Sequence, residues 1–187
     1  MIYFNCDYLE GGHPKILEKM LSTNMEQLTG YSTDHYCDSA RERIRQACGC
    51  PDADVHFLVG GTQTNLTAIA SILRPYQGVL AAHDGHIACH ETGAIEATGH
   101  KVLPIPCVDG KITADQVREF CHSHQTNTMR EHMVQPGMVY ISFPTEIGSL
   151  YTKKELQELS AACHENGIPL YIDGARMGYG LTSPDAD

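Results

Sequence analysis

Asp173 ends an apolar run at residues 169–172 and is followed by Gly174, Ala175 and Arg176. An ionised carboxylate at the end of a buried strand is costly unless a donor or cation meets it. One reading pairs Asp173 with Arg176 as a structural ion pair. The other lets the aspartate hold a protonated heterocyclic nitrogen while the arginine grips a carboxylate through two parallel hydrogen bonds. A second segment, Gly60-Gly61-Thr62-Gln63-Thr64-Asn65, precedes a helical pattern carried by Leu66, Ile69, Ala70 and Leu73. Two glycines let the backbone approach a ligand closely, and a helix start offers free N–H groups beside two threonine hydroxyls. That is a cradle for phosphate or carboxylate, or else a tight turn with a threonine cap. It is neither a Walker loop nor GxGxxG. The third segment contains His83, Asp84, His86, Cys89, His90 and Glu91. His86 and His90, four residues apart, share a face if helical and could hold a metal with Cys89 or Glu91. Nothing sequential completes that ligand set, so no metal is expected; such histidines are mostly structural or surface, and a ring here could instead stack on a flat cofactor held by the Gly61 loop.

These segments need strands to carry them. Short apolar runs lie at 55–59, 79–82, 102–105, 138–143 and 169–172, separated by stretches of helical period. Capping boxes open helices at Ser39, Thr113 and Thr152, the last with Gly167 as its stop. The expected fold is α/β, a mostly parallel sheet with helices on both faces. Ligands in such sheets gather outside the carboxyl ends of the strands, where all three segments fall. The polar stretch 122–137 reads as a surface excursion, with His122 and His124 solvated.

The chain has 187 residues, 42% hydrophobic and 19% charged, with a formal net charge of −10. That balance argues against a protein held by phosphate backbones. Arg41, Arg43 and Arg45 read as a solvated helix face. No apolar run approaches membrane-spanning length, and residues 1–10 lack the pattern of a signal peptide. Eight cysteines without such a leader read as reduced thiols, which implies a cytoplasmic protein.

The order of Gly60 to Asn65, then His86 with Glu91-Thr92-Gly93-Ala94, then Asp173-Gly174-Ala175-Arg176 resembles the threonine aldolase/β-eliminating lyase family. Those are pyridoxal-phosphate enzymes with an aspartate-aminotransferase-like fold, and the resemblance runs from Asp7 and Tyr31 to Arg176. It implies that Gly61, Thr62 and Gln63 hold the cofactor phosphate, that His86 stacks on the ring and assists proton transfer, and that Asp173 keeps the ring nitrogen protonated. Arg176, Tyr31 and Asp7 would then bind substrate, Tyr31 by reaching a neighbouring subunit. The implied activity is a lyase that cleaves a β-hydroxy amino acid to glycine and an aldehyde. The alternatives are β-elimination from an amino acid, and a non-catalytic half that acts as an assembly partner. The family's Schiff-base lysine lies beyond the aspartate strand, and none of the six lysines here sits in its motif. Residues 1–187 therefore read as the N-terminal part of the cofactor-binding large domain, inactive alone, without the lysine segment and small C-terminal domain. Phe143-Pro144-Thr145-Glu146 stands where threonine aldolases carry Glu-Asn-Thr-His, and Cys6 where a serine is usual. The resemblance further implies a homo-oligomer, dimer or tetramer, a separate C-terminal chain being a possible partner.

Overall fold

His13 and Asp34 each begin a helix by accepting backbone N–H groups that a first turn leaves without partners. His13 Nδ1 takes the Lys15 N–H ahead of α1 (Pro14–Thr23), whose first position is the proline. The Asp34 carboxylate takes the N–H groups of Tyr36 and Cys37 ahead of α2 (His35–Cys48), which Gly49 closes in the left-handed region at φ 64°. These helices belong to the first of two compact units in the computed structural model, Met1–Phe57 and Leu58–Asp187. The structure describes residues 2, 3 and 5–187, so Met1, where the expected domain begins, and Phe4 lie outside the described residues.

Two expectations for the first unit are corrected. The second helix starts at Asp34 rather than Ser39, because the aspartate captures two N–H groups at once. Ser39 lies inside the helix, where its hydroxyl accepts from Arg43 Nε at 3.4 Å. The three arginines are also not a common solvated face. Arg41 donates to the carbonyls of Ser32 and Val55, and Arg45 to that of Ala53, so two of them tie loops to α2 and only Arg43 points outward.

The second unit alternates helix and strand. It runs α3 (Gly61–Ile72), β1 (Gln77–Ala82), α4 (His86–Cys89), α5 (Ala94–Ala97), β2 (Lys101–Ile105), α6 (Ala114–Thr126), a 3-10 turn at Arg130–His132, β3 (Gln135–Ser142), α7 (Lys153–Glu165), β4 (Leu170–Asp173) and α8 (Met177–Leu181). Thr113 and Thr152 cap α6 and α7 through complete capping boxes with Gln116 and Glu155, as their spacing predicts. The region 122–137 is no plain excursion: α6 continues to Thr126, and β3 already begins at Gln135.

All strand pairs are parallel, in the order β2-β1-β3-β4. The two-residue period of each strand feeds two cores, one on each face of the sheet. Val79, Ala81, Val102, Met138 and Tyr140 pack with Ile69 of α3 and Ile95 of α5. Leu80, Leu103, Ile105, Val139 and Ile141 pack with Val117 of α6 and Leu159 of α7. Helices thus cover both faces, as expected. Residues 55–59 add no strand. The Val55 carbonyl is taken by Arg41 and the Val59 N–H by Gln63 Oε1, so an apolar run there finds side-chain partners instead of a ladder. No helix among the described residues is long and apolar enough to cross a membrane.

β1 and β2 approach so closely that only glycine fits at position 78. A Cβ there would stand 2.5 Å from the Lys101 carbonyl oxygen. Gly78→Ala should cost about 1–3 kcal/mol, the usual range for overpacking, measured by urea unfolding of the 187-residue chain. A loss below about 0.5 kcal/mol would mean that the two strands part freely.

Candidate functional site

The chain leaves β1 for β2 on one side, then crosses back to place β3 on the other. The resulting switch point between β1 and β3 opens at the carboxyl ends of the strands, where α/β sheets form ligand crevices. Four segments of the second unit converge at this end. The first residue of α4 is His86, the turn before α5 supplies Glu91, and β4 ends on Asp173. The first turns of α3 bring Asn65 to meet them.

Asn65 is the hub. Its Nδ2 donates to Glu91 Oε1 at 2.7 Å and to Asp173 Oδ2 at 2.9 Å, while its Oδ1 accepts from the Tyr171 hydroxyl at 2.9 Å. Carboxylates only accept and the half-buried Tyr171 hydroxyl donates, so this surrounding permits one orientation of the amide. Tyr140 adds a second donor to Asp173 Oδ2 at 2.7 Å and stacks on Tyr171 with ring centroids 5.6 Å apart. Burial above all, reinforced by the negative charges of Asp173 and Glu91, holds the Tyr140 hydroxyl protonated far above its ordinary range. Burial and the same two charges push Tyr171 up to about 12. Both tyrosines are therefore donors at every physiological pH.

Glu91 is fully buried. Its Oε1 accepts from Asn65 and lies 2.9 Å from His86 Nδ1, while its Oε2 has no partner. With Nδ1 facing the carboxylate, Nε2 is the ring nitrogen left outside this pair, on a side chain that is 38% exposed. The spacing that suggested a His86–His90 metal pair instead gives two tilted rings with centroids 5.7 Å apart.

Asp173 meets uncharged donors: Asn65, Tyr140 and, through Oδ1, the Ala175 N–H at 3.2 Å. The two side-chain donors go to Oδ2 and the backbone N–H to Oδ1. Gly61, Thr62 and Gln63 are exposed at the start of α3, whose first N–H groups have no partner within the helix. A Cβ at Gly60 or Gly61 would meet nothing within 4 Å, so the cradle stands open. Arg176 is exposed ahead of α8 and lines a cleft with Glu146 and Tyr179. Asp7 and Tyr31 belong to the first unit, where Tyr31 is fully exposed with φ 60°.

The structure thus brings His86 and Asp173 into one network and adds Asn65, Glu91, Tyr140 and Tyr171. Sequence reasoning placed Asn65 and Glu91 in motifs without assigning them this link, and it missed both tyrosines. The signal for Tyr140 was available, since a hydroxyl in the middle of a buried strand demands a partner.

Residues 4–179 match the family model described as beta-eliminating lyase. A low specificity L-threonine aldolase from a Pseudomonas species is 31% identical over 176 residues, covering 93% of this chain and 49% of the relative. Its counterpart from Pseudomonas aeruginosa is 30% identical over the same length. Among solved structures, a Leishmania major threonine aldolase superimposes with a TM-score of 0.91 at 50% identity, covering 96% of this chain and 52% of that one. A pyridoxal-phosphate-bound C–S lyase from Staphylococcus hominis, at 13% identity and a TM-score of 0.57, shares the fold over 84% of this chain. The chain spans about half the length of the curated relatives it matches.

Proposed function

This chain belongs to the beta-eliminating lyase family, and on that premise we propose that it binds pyridoxal 5′-phosphate and forms the N-terminal part of an aldehyde-lyase. The reaction is retro-aldol cleavage of a small β-hydroxy amino acid to glycine and an aldehyde. The observation that carries the reading is the state of Asp173: a half-buried acid at the end of β4, which accepts from Asn65 and Tyr140 through Oδ2 and from the Ala175 N–H through Oδ1.

The donor set fits that cofactor. The open start of α3, with free N–H groups at Gly61, Thr62 and Gln63, suits a phosphate dianion. Asn65, which touches Asp173, lies four residues further on, about 6 Å of helix rise. A phosphate cradle and an acid for a ring nitrogen are thereby offered by one helix and the strand end beside it. When bound, the cofactor supplies an electron sink for the bond broken at the substrate's α-carbon.

The remaining work falls to side chains of this chain. Asp173 holds a proton on the ring nitrogen, its charge kept in place by Asn65 and Tyr140. Glu91, 2.9 Å from Nδ1, would orient the His86 ring so that Nε2 can take up a proton and the imidazole can stack on the cofactor. Arg176 binds the substrate carboxylate from the cleft it lines. Tyr31, exposed on a left-handed backbone, would be the residue that reaches a second subunit of a homo-oligomer.

The test is a titration of the 187-residue chain with pyridoxal phosphate, followed by absorbance, with and without borohydride. One cofactor per chain is expected, displaced by inorganic phosphate and washed away after reduction. Gly61→Asp, which puts a carboxylate into the open cradle, should abolish binding while circular dichroism stays unchanged. Binding that ignores this substitution, or no binding by the folded chain, overturns the assignment.

A further inference from the structure

The pairing of β1 with β2 sets Ala82 beside Ile105. Carried two residues past both strand ends, the same register sets Asp84 beside Cys107. Cys107 Sγ lies 3.0 Å from Asp84 Oδ1 and 3.4 Å from His83 Nδ1, and the three donor atoms all fall within 4.8 Å of one another. None of the three has a part in the cofactor reading. His83 is exposed, and the other two are half-buried, so the cluster opens to solvent.

We propose that His83, Asp84 and Cys107 form a binding site for a borderline divalent cation of the Zn2+ type. Thiolate, imidazole and carboxylate are the mixed donors such an ion selects, whereas hard cations want oxygen alone. Tetrahedral zinc, with bonds of about 2.3 Å to sulfur and 2.0–2.1 Å to nitrogen, spaces its donors about 3.5 Å apart. The Cys107–His83 separation already matches. The Cys107–Asp84 separation opens slightly once the thiol proton between them is gone. That proton leaves to solvent as the hydrated cation exchanges waters for Sγ, Nδ1 and Oδ1, and one water keeps the fourth position. The ion would tie the exit of β1 to the exit of β2, and with it the loop that leads into α4 and His86.

The metal-free 187-residue chain is titrated with Co2+ and then with Zn2+. Expected are one equivalent of Co2+, intense visible bands of a tetrahedral ion, a sulfur-to-cobalt charge-transfer band, and full displacement by Zn2+. Cys107→Ser should remove the charge-transfer band, and His83→Gln and Asp84→Asn should each weaken binding at least tenfold. Should Cys107→Ser lose its circular dichroism, the exposed His83→Gln variant carries the test alone. A Cys48→Ser/Cys50→Ser double variant, which removes the exposed pair in the first unit, should behave as the parent. The proposal is overturned by a sulfur band that survives Cys107→Ser, by its loss in the double variant, or by weak octahedral spectra only. Pyridoxal-phosphate binding is read separately, so failure of either reading leaves the other standing.

Discussion

Asp173→Asn should weaken pyridoxal-phosphate binding by the 187-residue chain about 30- to 1,000-fold while leaving the sheet intact. The substitution keeps the shape and removes the charge that would meet a protonated ring nitrogen. Removing one member of a hydrogen-bonded charge pair costs about 2–4 kcal/mol, which converts to that range. The native surroundings sharpen the effect. Asn65 and Tyr140 both donate to Oδ2. In the variant they face an amide that can accept at only one end, so the new side chain has to orient its oxygen toward them and turn its NH2 toward the cofactor. A protonated ring nitrogen cannot accept from that group. Equilibrium titration checks the prediction, with urea unfolding as control. Affinity within threefold of the parent would mean that Asp173 does not face the ring.

Asn65→Asp should be the most destabilising single change at the site, and its cost should depend on pH. Asn65 is the donor that separates Glu91 from Asp173, at 2.7 and 2.9 Å. An aspartate in its place sets a carboxyl group against both Glu91 and Asp173, at a position as buried as Glu91 itself. Uncompensated buried charge costs about 3–5 kcal/mol. The cluster escapes part of that cost by retaining a proton, which raises a carboxyl pKa above its unfolded value. A group shifted that way binds more protons folded than unfolded, so stability falls as pH rises through the shifted value and recovers toward the ordinary aspartate range near 4. Urea unfolding at pH 8 and pH 5 should therefore show a gap between variant and parent that is wide at the first and narrower at the second. An equal gap at both would mean that the three groups do not share a proton.

Much of the architecture can be read from local pattern. The four strands of the sheet, the helices behind Thr113 and Thr152, and the two-sided burial follow from periodicity and caps that lie within a few residues of one another. The misread elements show where that reasoning ends. Residues 55–59 have the apolar composition of a strand, yet a strand exists only with a neighbour, and their backbone groups answer to Arg41 and Gln63. Ser39 imitates a helix start, but Asp34 lies ahead of it and captures two N–H groups. At the site, His86, Asp173 and the Gly61 turn stand out by residue type, and the roles proposed for them come from the family resemblance of their order. Tyr140 and Tyr171 do not, because their meaning lies in partners 33 and 106 residues away. Only the folded sheet brings those sequences together.

The wide spacing of Asn65's partners also sets a timetable. Glu91 follows it by 26 residues, but Tyr171 and Asp173 follow by 106 and 108. At about 5–20 residues per second of synthesis, a ribosome needs roughly 5–20 seconds to supply the second pair after Asn65 has been made. Through that interval the amide can hold Glu91 alone, and its carbonyl waits for a hydroxyl not yet translated. The fourth strand is thus the one that completes the polar centre, and a nascent chain holds β1, β2 and β3 before it holds the acid of the site.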